Sequence, residues 1–242
     1  LFQSVQQQKK WKDSETLWSS VIEQYPQAYY PYVARGRYYN AENRPKAAWK
    51  DFNKSISLYP NVEAFYERGL MLEAKGQDKD ALSDYLAATN GGLRYPKAHL
   101  NAGIIYGKLG DRNNALIQIK KALELDPDYS LARFNFAVLL KIEGRTNEAL
   151  TEIKKACELE PKNMRYREMR AAIHTDLGNN LEAIRDFKTV IQENPKNEIA
   201  QFYLGMNYHA IGNKGAAKKH LSRAKELNYP VPENIKVLYD LN

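Results

Sequence analysis

"PKAHLNAGIIYGKLGDRNNALIQIKKALELDPDY", residues 96–129, reads as helix, turn, helix and stop. Leu100, Gly103, Ile104 and Tyr106/Gly107 mark a first helical stripe. "LGDRN" follows as a turn, with Gly110 able to take the left-handed conformation that ends a helix. Ala115, Ile119, Ala122 and Leu123 then show the i, i+4, i+7 spacing of a second amphipathic helix. Pro127 stops that helix, because its ring clashes with the preceding turn and it has no N–H to donate.

The same closing phrase recurs. "ALELDP" ends at Pro127, "ACELEP" at Pro161 and "VIQENP" at Pro195, each thirty-four residues on, and "VIEQYP" at Pro26 and "SISLYP" at Pro60 keep the same step. Gly76, Gly110, Gly144, Gly178 and Gly212 form one track at that period. Ala81, Ala115, Ala149, Ala183 and Ala217 form another, preceded by Ala48. A third small-residue track runs Gly36, Gly69, Gly103, Ala137, Ala171, Gly205, and a fourth runs Ala88, Ala122, Ala156, Val190, Ala224. A period of this length means stacked helix pairs, each too small to bury its apolar face alone. Two helices joined by a short turn must approach closely, so Gly103 is expected against Ala115, with Tyr106 and Ile119 filling the space beside them.

Hydrophobic residues make up 43% of the 242 and charged residues 27%, which fits a soluble folded chain. No apolar run reaches the roughly 18–20 residues of a membrane span. The sequence starts at Leu1 without a Met or a basic-then-apolar leader, and is expected to be a fragment of a longer protein. Cys157 is alone, which excludes an internal disulfide and a Cys-based zinc cluster. The net charge of +7 is spread: +4 over residues 1–61, −1 over 62–129, +2 over 130–197 and +2 over 198–242. A nucleic-acid binder gathers its basic residues on one face, so nucleic acid is not an expected partner.

The sequence carries no recognisable catalytic constellation. His99, His174, His209 and His220 are scattered, with no H-E-x-x-H or phosphate-loop motif. "NGG" at 90–92 reads as a helix-ending turn, Cys157 as a buried inert thiol and His174 as a core ring. "NKS" at 53–55 lies inside a helix and is not an expected glycosylation site. No catalytic, cofactor-binding or metal-binding residue is expected, no cofactor, and no enzyme activity.

The pattern small–x–x–aromatic, Gly-[DNR], Ala–x–x–x–aromatic/aliphatic–x–x–Ala, Pro, at thirty-four residues, resembles the tetratricopeptide repeat. The resemblance implies an all-α, right-handed α-solenoid of helix-turn-helix repeats forming one domain over 1–242. Its repeats would be 29–61, 62–95, 96–129, 130–163, 164–197 and 198–231. Residues 1–28 would be a partial repeat with "LFQSVQQQ" as a shortened first helix, and 232–242 a capping helix with an apolar stripe of Ile235, Leu238 and Tyr239. Three departures affect repeat ends: Asn43 stands at a turn-glycine position, "TNGGLRYP" lacks the usual proline, and "LNYPVP" places it one residue late.

The family resemblance also implies a concave groove lined by first helices, taking a peptide or a partner protein of unknown identity. Its family positions fall here on Arg37, Tyr66, Lys97, Asn101, Phe134, Asn135, Arg165, Phe202 and Tyr203. Asn101 and Asn135 match the family's backbone-holding asparagine ladder in adjacent repeats. The clamp for acidic chaperone tails is not expected: Asn135 and Arg165 match it, while Leu100, Ile104 and Met169 do not. Tyr30 with Arg37 is a further candidate, as an exposed aromatic–cationic patch. The expected function is a protein-interaction scaffold. The alternative is an acceptor-presenting extracytoplasmic domain of a membrane-embedded glycosyltransferase, because "KKWKDSETLWSSVIEQYP" is similar to the junction before the repeats of O-mannosyltransferase-type enzymes. This chain itself is expected to make no membrane contact. The compartment is left open between the cytoplasm and the periplasm or another extracytoplasmic space.

Overall fold

The structure is a computed structural model that describes residues 15–90 and 94–241. The expected shortened first helix "LFQSVQQQ" lies outside the described residues, as do the glycines of "NGG". The fold is all-α and of the helical-repeat, α-solenoid class; no strand occurs among the described residues. The chain divides into two compact units, Leu1–Pro127 and Asp128–Asn242.

In the first unit, α1 is described over 15–24. Three hairpins follow: α2 (Tyr29–Ala41) with α3 (Pro45–Leu58), α4 (Val62–Ala74) with α5 (Asp78–Thr89), and α6 (Pro96–Lys108) with α7 (Arg112–Leu125). In the second, α8 (Ser130–Ile142) pairs with α9 (Thr146–Leu159), α10 (Met164–Asp176) with α11 (Asn180–Glu193), and α12 (Glu198–Ala210) with α13 (Lys214–Glu226). The short α14 (Glu233–Tyr239) ends the series. Within each unit a second helix also packs on the next first helix, as α3 does on α4 and α11 on α12.

The punctuation works as its chemistry requires. Tyr59, Asp126, Glu160 and Asn194 each precede a proline and end a second helix in extended backbone, with ψ of 122°, 91°, 76° and 88°. Between the helices of a pair, Gly110 sits at φ +84°, and the Asp111 N–H bonds back to the Tyr106 carbonyl, a six-residue closure of the helix end. Asn43 takes the same role at φ 56°. Asn61, Asp111, Asn163, Asn197 and Asn213 cap the helices that follow them, each accepting a bond from the backbone N–H three residues on.

The small residues mark where the paired helices touch. A Cβ built on Gly103 would stand 2.6 Å from Ile119 Cγ1 and 3.1 Å from the Ala115 carbonyl. Gly36 meets the Phe52 ring in the same way, Gly69 the Tyr85 ring and Gly205 the Leu221 side chain. These large partners are themselves fully buried. At the end of the second unit, Ile235 and Tyr239 of α14 pack with Phe202, Leu221, Ala224, Val231 and Leu241. Leu238, expected on the same stripe, is instead 58% exposed. A helix of two turns lays only its i, i+4 line on the core, and Leu238 falls beside it.

Candidate functional site

In the first unit, two expected site residues come together. Asn101 Nδ2 donates to the Tyr66 hydroxyl at 3.5 Å. The Tyr66 ring meets Tyr95 edge-on with centroids 5.0 Å apart and leans on Tyr85 at 5.8 Å. Lys97 is exposed one turn before Asn101 on α6. Arg37 is tied elsewhere: its Nε donates to Glu67 of α4 at 2.6 Å. Tyr30 is exposed and meets Trp18 edge-on at 6.0 Å, while the Arg37 guanidinium is held by the carboxylate.

In the second unit, three expected residues share one recess. Phe134, Asn135 and Arg165 line a surface cavity of about 390 Å³ together with Val138, Glu168, Met169 and Ala172. Phe134 is 3% exposed and stacks on Tyr166 at 5.1 Å. The Arg165 guanidinium lies 4.5 Å from the Phe134 centroid, a cation–π contact. Asn135 Nδ2 donates to the Leu131 carbonyl at 2.7 Å, and Glu168 accepts from Asn197 Nδ2 at 2.9 Å. The recess thus has an apolar floor and a rim holding an amide, a guanidinium and a carboxylate. Phe202 and Tyr203 are placed apart from it: Phe202 stacks on Tyr229 at 4.4 Å, and Tyr203 on Phe187 at 5.9 Å.

Burial pushes the Cys157 thiol above its ordinary pKa, away from the reactive thiolate. Burial also lowers the His174 pKa, and the ring sits 3.3 Å from the Asn179 amide rather than in a triad. Among the described residues, no group of three His, Cys, Asp or Glu could hold a metal ion, and no helix is long and apolar enough to cross a membrane.

A polar track went unread in the sequence. Asp51, Asp84, Gln118, Glu152, Asp186 and His220 occupy one position of successive second helices, just before the large core residue, and are never apolar. Each is held by a first helix. Arg35, Arg68 and Arg170 grip Asp51, Asp84 and Asp186 in two-pronged bonds of 2.7–2.9 Å. Arg133 reaches Glu152 at 2.5 Å, and His99 with Gln118, like Gln201 with His220, closes at 2.8 Å. Arg35 and Arg68 also donate to Ser19 and Asn53 on the preceding second helix, so each ties neighbouring hairpins together. The signal available was a polar residue recurring inside an apolar stripe.

The family model for the tetratricopeptide repeat matches residues 1–162. Over 88 residues, 36% of this chain, the sequence is 33% identical to UDP-N-acetylglucosamine--peptide N-acetylglucosaminyltransferase of Giardia intestinalis, and the match spans 6% of that protein. Over 125 residues, 52% of this chain, it is 27% identical to human tetratricopeptide repeat protein 6, spanning 24% of it. The solved structure of YrrB, a repeat protein of this kind with an unusual peptide-binding site, superposes with a TM-score of 0.65 at 22% identity, covering 76% of this chain and 95% of that one. At that identity the likeness is one of fold.

Proposed function

The chain belongs to the tetratricopeptide repeat family, and on that premise we propose that it is a non-catalytic scaffold holding a peptide or partner protein against its first helices. The supporting observation is the recess of the second unit. Its floor of Phe134, Val138, Met169 and Ala172 suits an apolar side chain. Asn135 carries an amide able both to donate to and accept from a peptide unit without reading its side chain. Arg165 is exposed and has the planar fork that meets a carboxylate with two bonds. In the first unit, Asn101 beside Tyr66, with Lys97 one turn away, is the corresponding candidate. Arg37, Phe202 and Tyr203 are further candidates on first helices. The repeat bounds 29–61 through 198–231 belong to the same proposal.

The test is capture of a partner from a peptide library by the unaltered chain, followed by affinity measurements on variants. Asn135→Ala with Arg165→Ala should weaken binding about ten-fold or more, since a hydrogen bond contributes roughly 0.5–1.5 kcal/mol and one to a charged group roughly 1.5–3. Asn101→Ala tests the first unit separately. Lys155→Ala, on the second helix α9, should leave affinity unchanged. If Lys155→Ala weakens capture as much as the paired change, or the paired change is silent for every ligand found, the first-helix reading is wrong.

A second reading is favoured by the likeness to a peptide-modifying transferase. In it, the repeats present acceptor proteins to a glycosyltransferase module outside these residues. A reading frame that places membrane spans and a transferase ahead of Leu1 would support it; a frame without them would remove it.

A further inference from the structure

The geometry points to a second docking surface, on α13 and α14, for an acidic peptide segment carrying a large apolar side chain. It lies on second-helix chemistry and does not depend on the first-helix reading. α13 is strongly basic among the second helices. α13 carries Lys214, Lys218, Lys219, Arg223 and Lys225 against the single acid Glu226. The preceding second helices α9 and α11 each carry three acids to two bases. Arg223 is engaged by Glu226 at 2.8 Å, and Lys225 donates to the Leu241 carbonyl at 2.8 Å. Lys214, Lys218 and Lys219 are exposed, and among the described residues none of the three meets a carboxylate.

Beside these lysines lies a shallow surface depression with apolar groups. Lys214, Lys218 and Lys219 line a recess of about 440 Å³ with Leu238, Tyr239 and Asp240. Leu238 is 58% exposed and its neighbour Val237 is 75% exposed. α14 buries Ile235 and Tyr239 in the core and turns these two side chains outward. Asp240 offsets one of the three charges and leaves an excess of positive charge around the recess.

Charge complementarity calls for an anionic occupant, and the exposed Leu238 and Val237 call for an apolar group beside the charge. Lys214 and Lys218 stand one turn apart, roughly 5–6 Å between Cβ atoms, which suits carboxylates on alternate residues of an extended segment. A recess receives a protruding side chain, whereas a plane of lipid headgroups would leave it empty. An acidic peptide therefore fits better than an anionic membrane.

The experiment uses the full chain and a short fluorescein-labelled peptide of Glu and Asp residues around two leucines, read by anisotropy. Lys214→Glu with Lys218→Glu and Lys219→Glu should weaken binding about five- to fifty-fold, as exposed charge pairs each contribute modestly. Raised salt should weaken it too. Leu238→Ser should cost about five-fold or more with the charges intact. Far-ultraviolet circular dichroism and the unfolding temperature check that each variant folds. Lys155→Ala, at an exposed position of α9 outside both recesses, should leave this peptide's binding unchanged. Binding lost with Asn135→Ala and Arg165→Ala but kept by the lysine variant would assign the peptide to the first-helix recess and overturns the proposal. No binding by the native chain, or equal binding by the triple lysine variant, overturns the proposal. So does equal binding of a peptide with Gln and Asn in place of its acids. Binding of phosphatidylserine-containing vesicles without binding of the peptide overturns it in favour of a membrane surface.

Discussion

At the scale of single residues, the contact between paired helices is set by volume. Gly103→Leu forces a side chain into space where even a Cβ would stand 2.6 Å from Ile119. It should lower stability by about 1–3 kcal/mol or more in urea unfolding. Lys121→Leu, on an exposed position of α7, should change it by less than about 0.5 kcal/mol. Equal losses would refute the contact. The Arg68–Asp84 pair makes a sharper case. Asp84 is 4% exposed, so Arg68→Ala strands a buried carboxylate and should cost about 3–5 kcal/mol. Arg68→Met with Asp84→Leu should recover much of that loss, and failure to do so would show that the pair contributes beyond its own neutralisation. Gly103 was legible because a small residue recurs at one period. Arg68 and Asp84 were not, because opposite charges sixteen residues apart look like two solvated faces until the track from Asp51 to His220 is aligned. The positions of Asn101 and Asn135 could be read, but their bonds to Tyr66 and to the Leu131 carbonyl depend on side-chain rotamers that spacing does not determine.

At the scale of elements, the helices and their stops were legible because proline and left-handed glycine act locally, within one turn. What α14 does was only partly legible: spacing could not say which of Leu238 and Tyr239 a two-turn helix would bury. Its packing has a measurable weight. Ile235→Ala with Tyr239→Ala removes two core side chains and the 2.6 Å hydrogen bond that Tyr239 shares with His209. The pair should cost at least about 3 kcal/mol and lower the unfolding temperature. An unchanged transition would mean that α14 is not docked in solution. Two first- and second-helix histidines give the second unit a response to acid. Burial lowers the pKa of His174, which faces Asp186, Lys154, Arg170 and Glu182, and that of His220, which faces Lys219 and Lys188. Burial disfavours the charged ring of both in the folded chain, while the unfolded chain takes up protons near pH 6.5. Stability should therefore be intact above about pH 6.5 and fall as pH drops towards the lower folded values. Unfolding measured between about pH 7 and 5 should show a smaller loss for His174→Gln with His220→Gln than for the native chain. An unchanged slope would assign the loss to other groups.

At the scale of the whole molecule, charge and contact follow different rules. Net charge summed over 198–242 hides the basic character of α13, because Glu198, Glu233 and Asp240 on either side of that helix offset its lysines in the sum. Contacts, by contrast, stay close to sequence order within each unit. Arg35 meets Asp51 and Arg170 meets Asp186 sixteen residues apart, and even the ties between neighbouring hairpins, such as Lys108 with Glu73, span thirty-five. Closing such short loops costs little entropy, and chains rich in near-neighbour contacts fold fast, commonly in microseconds to milliseconds. Synthesis is far slower, at about 5–20 residues per second. A hairpin such as α2 with α3 can therefore be complete while the next is still inside the ribosome, and nascent chain emerging behind it meets a finished surface to pack on.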